Sequence, residues 1–209
     1  SMVCAALSFG FKLQAVFILP VYAVLWMQGK FKWQHFLVFP AAYIVLVLPA
    51  VLLGRPFIET LTLYFNQTGS IGDGLNYNSP SVYSLFQYSL PEQYNELASQ
   101  LGIIAAFVYM AVLLLICFFN RRRISDKAVL GAALLFAIGI PFLLPHMHDR
   151  YFFAADILSL ILAFTAAEYF IAAVLVQFAS LLGYHAYLKM RYLLLMDKGA
   201  AALIAALAV

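Results

Sequence analysis

Long apolar runs separated by short polar segments constrain this chain more than any other feature. A helix needs about 20 apolar residues to cross a hydrocarbon core about 30 Å thick, since each residue adds about 1.5 Å. Runs of this kind occupy residues 9–27, 33–54, 101–120, 128–145 and 151–188. The last run is long enough for two helices, with a turn near Ala167, Glu168 and Tyr169. The pattern predicts an all-α fold, a polytopic transmembrane helical bundle of about six spans.

The composition agrees with a lipid environment. Of the 209 residues, 66% are hydrophobic and only 10% are charged, whereas about a quarter of a soluble domain is charged. We therefore expect residues 1–209 to form a single integral membrane domain. The tail 199–209 reaches about half way across a bilayer, which predicts a partial seventh span in a shortened chain or an interfacial segment. A net charge of +3 without a clustered basic face argues against nucleic acid as a partner.

Basic residues in short loops predict the orientation of the spans. Two loops are basic and are predicted to be cytoplasmic, one with Lys30 and Lys32 and the other with Arg121, Arg122, Arg123 and Lys127. The loop 55–100 and the turn 146–150 then face outward. Three further basic residues count against this orientation, because they would also lie outside: Lys189, Arg191 and Lys198.

A cluster of ionisable residues lies between two apolar runs, directly after Pro145: His146, His148, Asp149 and Arg150. Arginine can bind a phosphate or carboxylate through two parallel N–H bonds, and histidine can donate to the same anion or move a proton. Asp149 can orient an imidazole or the guanidinium. One alternative is a polar cap at the level of the lipid headgroups. Another is a metal site, but alternating histidines suit a strand better than a helix and no further ligand set is visible, so no metal cofactor is predicted and a divalent ion stays open.

Lys12 and Gln14 lie near the predicted outward end of the first run. An ionisable residue in a span usually faces the protein interior or a water-filled cavity. The alternative is that the stem of Lys12 only extends its charge to the interface. Since Lys12 is on the same predicted side as Arg150, the two cations can share one anionic ligand.

The outward loop contains groups that can hydrogen-bond sugar hydroxyls, chiefly Asn76, Asn78 and Tyr83. The alternative is an ordinary polar surface loop. Ser81 predicts the start of a helix at Val82. The loop also has two candidate bases without a visible partner, Glu59 and Asp73.

Two segments carry a family resemblance. Residues 11–20 (FKLQAVFILP) resemble the F-K-x-Q-A-x-F-x-x-P span of bacterial membrane mannosyltransferase-like proteins, and residues 146–153 (HMHDRYFF) resemble their H-x-H-(D/E)-R-Y-F turn. That group is similar to the mannosyltransferases of GPI-anchor synthesis, within the GT-C class of polytopic glycosyltransferases. The likeness covers nearly the whole chain.

The resemblance implies a GT-C-like fold and sugar transfer from a polyprenyl-phosphate donor on the outer face of a bacterial plasma membrane. Arg150, His146, His148 and Lys12 would hold the donor phosphate, supported by Asp149, Tyr151 and Gln14, while Asn76, Asn78 and Tyr83 would contact sugar or acceptor.

One departure from the family bears on catalysis. Such enzymes have their catalytic carboxylate in an outward loop between the first two spans, and no acidic residue here occupies that position. The chain therefore resembles a C-terminal portion, whose catalytic residue is unknown and would come from a missing N-terminal portion or a partner subunit. The alternatives are a non-catalytic binding or scaffold module and a transporter of lipid-linked substrates, which would need polar residues in mid-membrane.

Overall fold

A computed structural model of the chain describes residues 1–63, 74–86 and 91–209, which are almost entirely helical. The predicted all-α class is confirmed. The chain divides into two compact units, Ser1–Gly72 and Asp73–Val209. A single integral domain over 1–209 stays a prediction.

In the first unit, the described residues 1–63 form four α-helices. They are α1 (Met2–Phe11), α2 (Pro20–Met27), α3 (Val38–Leu52) and α4 (Phe57–Leu61). The apolar run 9–27 is therefore not one helix, which corrects the prediction of a single span there. Lys12 has extended backbone angles, and a short 3-10 helix, Leu13–Ile18, leads to Pro20 at the first turn of α2. Proline is suited to that position, because its missing N–H would have no helical partner there.

In the second unit, residues 74–86 and 91–209 form five α-helices and one short strand pair. The helices are α5 (Asn95–Asn120), α6 (Asp126–Leu143), α7 (Phe153–Thr165), α8 (Phe170–Lys189) and α9 (Met196–Leu207), and the strands are β1 (Asn76–Tyr77) and β2 (Met147–His148). The turn between α7 and α8 contains the 3-10 helix Ala167–Tyr169, which confirms the predicted turn. The shared core contains large side chains such as Phe136, Phe152 and Leu203, with many buried alanines between them. Small residues let membrane helices approach closely.

Four helical segments of the described residues are long and apolar enough to cross a membrane: Trp33–Leu52, Glu92–Asn120, Asp126–Leu143 and Ala167–Lys189. The chain is accordingly a membrane protein. Helix α7 has 13 residues and α9 has 12, so at about 1.5 Å per residue each is shorter than a hydrocarbon core of about 30 Å. The total of about six spans with a partial seventh stays a prediction.

Candidate functional site

The segment between α6 and α7 is extended and pairs with the outer loop. Strand β2 runs parallel to β1, with Met147 opposite Asn76 and His148 opposite Tyr77. His148 is thus in the strand, and His146 directly precedes it. His146 and Asn78 have φ angles of 60° and 56°, a left-handed backbone conformation that is uncommon outside glycine. Contacts around them must therefore maintain this turn.

His146 connects three separate elements. Its backbone N–H donates to Leu75 O at 2.8 Å, its ring Nδ1 lies 2.8 Å from Gly74 O, and its Nε2 lies 3.3 Å from Ser99 Oγ on α5. A carbonyl oxygen only accepts, so Nδ1 carries the proton and Nε2 accepts from the serine hydroxyl. Both ring nitrogens are therefore engaged within the protein. His146 is placed to orient the turn.

His148 lies between two tyrosine rings. The Tyr77 ring stacks on it with centroids 4.8 Å apart, and the Tyr151 ring meets it edge-on at 5.5 Å. Burial lowers the pKa of His148, and the positive charge of Arg150 lowers it further. The imidazole is accordingly neutral near pH 7, with one N–H to donate.

Asp149 points into the protein and is only 4% exposed. The backbone N–H groups of Asp149 and Arg150 donate hydrogen bonds to its carboxyl group, and burial raises its pKa. It packs against Gly183 of α8, where an added Cβ would lie 3.2 Å from Asp149 Cβ and 3.1 Å from Asn78 O. The carboxyl group thus bonds to the backbone of its own turn, within electrostatic range of His148 and Arg150, while Asp149 Cβ packs against α8.

Arg150 is the exposed member of this cluster. No acidic side chain in the described part of the chain forms an ion pair with its guanidinium. Its charge acts on His148, Asp149 and Tyr151, whose pKa values it lowers. The turn therefore presents an exposed guanidinium beside a neutral imidazole.

The predicted sugar-binding asparagines make hydrogen bonds within the protein. Asn76 exchanges two hydrogen bonds with the backbone of Ser79, at 2.9 and 3.1 Å. Asn78 Oδ1 accepts from the Tyr192 hydroxyl at 2.5 Å. The amide of Asn76 stabilises the loop, and that of Asn78 connects the loop to the segment before α9.

Tyr83 lies between α5 and α6. Its hydroxyl donates to Ala98 O at 3.1 Å, with Leu143 O at 3.3 Å, and burial raises its pKa to about 12. Asn76 and Tyr83 line a cavity of about 540 Å³, as does the exposed Glu92, an acidic residue that sequence reasoning did not single out. A 3-10 helix begins at Val82 as Ser81 predicted, but the buried Ser81 hydroxyl makes no hydrogen bond with the described residues and is not a cap.

The other predicted residues lie in the first unit or outside the described residues. Lys12 is exposed between α1 and the following 3-10 helix, and Gln14 is half-buried. A ligand shared by Lys12 and Arg150 stays a prediction, because the two belong to different units. Glu59 is exposed on α4, and Asp73 lies outside the described residues.

Sequence reasoning missed a buried carboxylate on α7. Asp156 accepts hydrogen bonds from Ser180 Oγ at 2.5 Å and Tyr184 OH at 3.0 Å, while Gln177 Nε2 donates to its backbone oxygen at 2.9 Å. The sequence contained a signal for this cluster. Asp156 is an acidic residue in an apolar run, and its partners Gln177, Ser180 and Tyr184 are spaced three and four residues apart, on one helix face. This cluster holds α7 against α8 just below the turn.

Among the described residues, no group of three or more histidine, cysteine, aspartate or glutamate side chains is placed to hold one metal ion. Comparisons of the chain with protein-family models, with curated proteins and with solved structures find no match.

Proposed function

We propose that this chain is the portion of a GT-C-like membrane glycosyltransferase, mannosyltransferase-like in its motifs, that binds a polyprenyl-phosphate-linked sugar donor on the outer face of a bacterial plasma membrane. The observation that carries the proposal is the exposed guanidinium of Arg150 beside the neutral ring of His148, since no acidic side chain of the described residues forms an ion pair with that guanidinium. Both are on a turn that joins two apolar helices, where the headgroup of a lipid-linked donor would lie. The family resemblance of residues 146–153 supports the choice of donor.

The turn suits an anion that has two or more oxygens. A guanidinium can donate two parallel hydrogen bonds to a phosphate, and a neutral imidazole adds a third donor without a competing charge. His146 and Asp149, which precede Arg150 in the chain, maintain the backbone conformation of the turn. Little conformational entropy is then lost when the donor binds, which favours affinity.

The same residues suit the leaving group of the reaction. Sugar transfer releases the polyprenyl phosphate, and Arg150 would stabilise its growing negative charge in a water-poor environment. An inverting transfer also needs a base that removes the proton of the acceptor hydroxyl. Asp149 and Asp156 are buried and hydrogen-bonded, so we assign neither of them this role.

The burial of these two carboxylates favours one further candidate function. A non-catalytic module would bind the lipid-linked sugar and leave the chemistry to a partner. Transfer of radiolabelled sugar from the donor by the purified chain separates the two candidates. Turnover contradicts the binding-only module, whereas donor binding without turnover supports it.

Replacement of Arg150 tests the binding site directly. Equilibrium binding of a short-chain polyprenyl phosphate is measured for the full chain in an uncharged detergent. Arg150→Ala is expected to weaken binding by about 10- to 100-fold, the loss of charge-assisted hydrogen bonds. Arg150→Lys should give an intermediate affinity, because it keeps the charge and loses the paired geometry. Arg122→Ala removes an exposed cation from another turn and serves as the control, and an Arg150→Ala variant that binds as the control does would refute the proposal.

A further inference from the structure

A second set of exposed cations lies at the same end of the unit as Arg150. Helix α8 ends where Met190 adopts a left-handed conformation with φ 50°. The following residues lead to α9, and the Tyr192 hydroxyl bonds to Asn78, the residue directly after β1. Because β1 pairs with β2, the segment 188–195 lies beside the Arg150 turn.

The segment combines unpaired positive charge with exposed apolar side chains. Lys189 and Arg191 are both exposed, and neither forms an ion pair with an acidic side chain of the described residues. Lys198 differs, because its Nζ lies 3.4 Å from Asp197 Oδ2. Met190 is 85% exposed and Leu193 is 66% exposed. Side chains of these two kinds side by side are typical of protein surfaces that meet the membrane interface.

We propose that the segment 188–195 is a binding site for an anionic phospholipid of the surrounding bilayer. The leucine side chains would contact the acyl chains, while Lys189 and Arg191 would reach the headgroup phosphate. A basic residue near an anionic membrane surface is attracted to it more strongly than a neutral one. The site is separate from that of Arg150, and its ligand is a bilayer lipid rather than the sugar donor.

The site also accounts for basic residues that oppose the predicted orientation. Lys189 and Arg191 lie on the side of the turn, which the positive-inside pattern assigns to the exterior. A role in lipid binding explains their retention at that side. Charge favours a lipid over a second copy of the chain as the occupant, because two unpaired cations would face the same two cations across a symmetric contact.

Binding of a fluorescent phosphatidylglycerol to the full chain in uncharged detergent tests the proposal. Lys189→Gln and Arg191→Gln are each expected to weaken binding about fivefold, while Arg191→Lys keeps most of the affinity. Lys198→Gln is the matched control, since it removes one positive charge from the same region, and that charge is already paired with Asp197. Leu193→Ser should also weaken binding, and glycerol phosphate should compete poorly because it has no acyl chains.

Several outcomes would overturn the assignment. Equal losses of phosphatidylglycerol affinity in Lys198→Gln and Arg191→Gln would show only a general charge effect. Efficient competition by glycerol phosphate would show that the leucine side chains do not contribute to binding. Conversion of a dimer to a monomer by Leu193→Ser, with phosphatidylglycerol binding unchanged, would make the segment a protein contact. Arg150→Ala should leave phosphatidylglycerol binding intact and Arg191→Gln should leave polyprenyl phosphate binding intact, so the two proposals fail separately.

Discussion

The turn after α5 and the turn after α6 both contain exposed arginines, but different kinds of contact hold the two turns. In the turn after α5, Arg121 Nη1 donates to Phe118 O at 2.8 Å, and its guanidinium lies 4.3 Å from the Phe118 ring centroid. The Ser125 hydroxyl accepts from the backbone N–H of Ala128 at 3.2 Å. Each of these contacts joins residues three apart in sequence. In the turn after α6, the ring of His146 contacts residues 47 and 72 positions away.

This difference separates a local turn from one fixed by the tertiary structure. Local contacts form whenever the helix ends form, and they do not fix the position of the turn relative to other elements. Contacts between distant residues must offset the entropy of closing long loops, so they persist only where the surrounding structure supports them. The backbone that carries Arg150 is therefore held by long-range contacts, while Arg122 and Arg123 are exposed on a turn with local contacts. Charge density alone does not distinguish the two turns.

The largest expected effect of a single substitution is at Gly102, near the end of the unit that contains the Arg150 turn. A Cβ there would lie 1.7 Å from the Tyr83 hydroxyl and 2.7 Å from Leu143 O. Gly102→Ala is expected to lower the free energy of unfolding by about 3 kcal/mol. At Gly131, near the other end of α6, no atom lies within 4 Å of an added Cβ, so Gly131→Ala should stabilise by about 0.5–1 kcal/mol. Unfolding in mixed detergent micelles, followed by circular dichroism, measures both, and equal effects would contradict the described packing.

Two aspartates in first turns of helices provide the next comparison. Asp156→Ala leaves the buried hydroxyl of Ser180 and the partly buried hydroxyl of Tyr184 without their acceptor, and it is expected to cost about 2 kcal/mol. Asp126 is exposed in the first turn of α6, and Asp126→Ala should cost about 0.3–1 kcal/mol through the helix dipole. The same unfolding assay compares them. A loss in Asp156→Ala no greater than in Asp126→Ala would show that the polar cluster does not hold α7 against α8.

Amide hydrogen exchange distinguishes a residue that stabilises a distant segment from one that stabilises only its own helix end, even when the two substitutions lower the free energy of unfolding equally. His146→Ala and Ser125→Ala are each expected to destabilise by about 1 kcal/mol, one by losing ring hydrogen bonds and the other a helix cap. His146→Ala should speed amide exchange in residues 74–77, far from the substitution in sequence, whereas Ser125→Ala should act only near residues 126–129. Unchanged amide exchange in residues 74–77 would contradict the stabilisation of that segment by His146.

The smallest expected effect is a pH dependence of stability. Because the pKa of folded His148 is lowered from 6.5, the unfolded chain binds protons more readily than the folded chain as the pH falls below that value. Stability should therefore decrease as the pH is lowered from about 7 to about 5. Arg150→Ala removes one cause of the lowered pKa and should reduce this loss, while Arg122→Ala should not.

The neighbouring carboxyl group of Asp149 changes the stability with pH in the opposite direction. Burial raises the pKa of Asp149 from 3.8, so the folded chain keeps this proton as the pH rises above 3.8 and the unfolded chain loses it. This group alone makes stability fall with rising pH, the opposite of His148. Titration of the His148 ring by NMR separates the effect of the imidazole from that of the carboxyl group. A His148 ring that titrates in the Arg150→Ala variant as it does in the wild type would contradict the proximity of the two side chains.

Several elements of the fold could be predicted because their causes are local. The helices within runs 101–120 and 128–145 follow from apolar length, and the turn at 167–169 interrupts a run too long for one span. The break in run 9–27 was missed because Lys12 has an extended backbone within an apolar context. The pairing of Met147 and His148 with Asn76 and Tyr77 could not be predicted, because it joins segments that are distant along the chain.

The amino-acid sequence alone was enough to establish a helical membrane protein, the approximate positions of its helices and the chemical types at the Arg150 turn. These follow from hydrophobicity and from the need of a backbone in lipid to form its hydrogen bonds within helices. Only the tertiary structure decided which side chains are engaged and which are available. His146 and Asp149 are bound into the fold, while Arg150 and Arg191 are exposed, because pairing depends on contacts between residues that are distant along the chain.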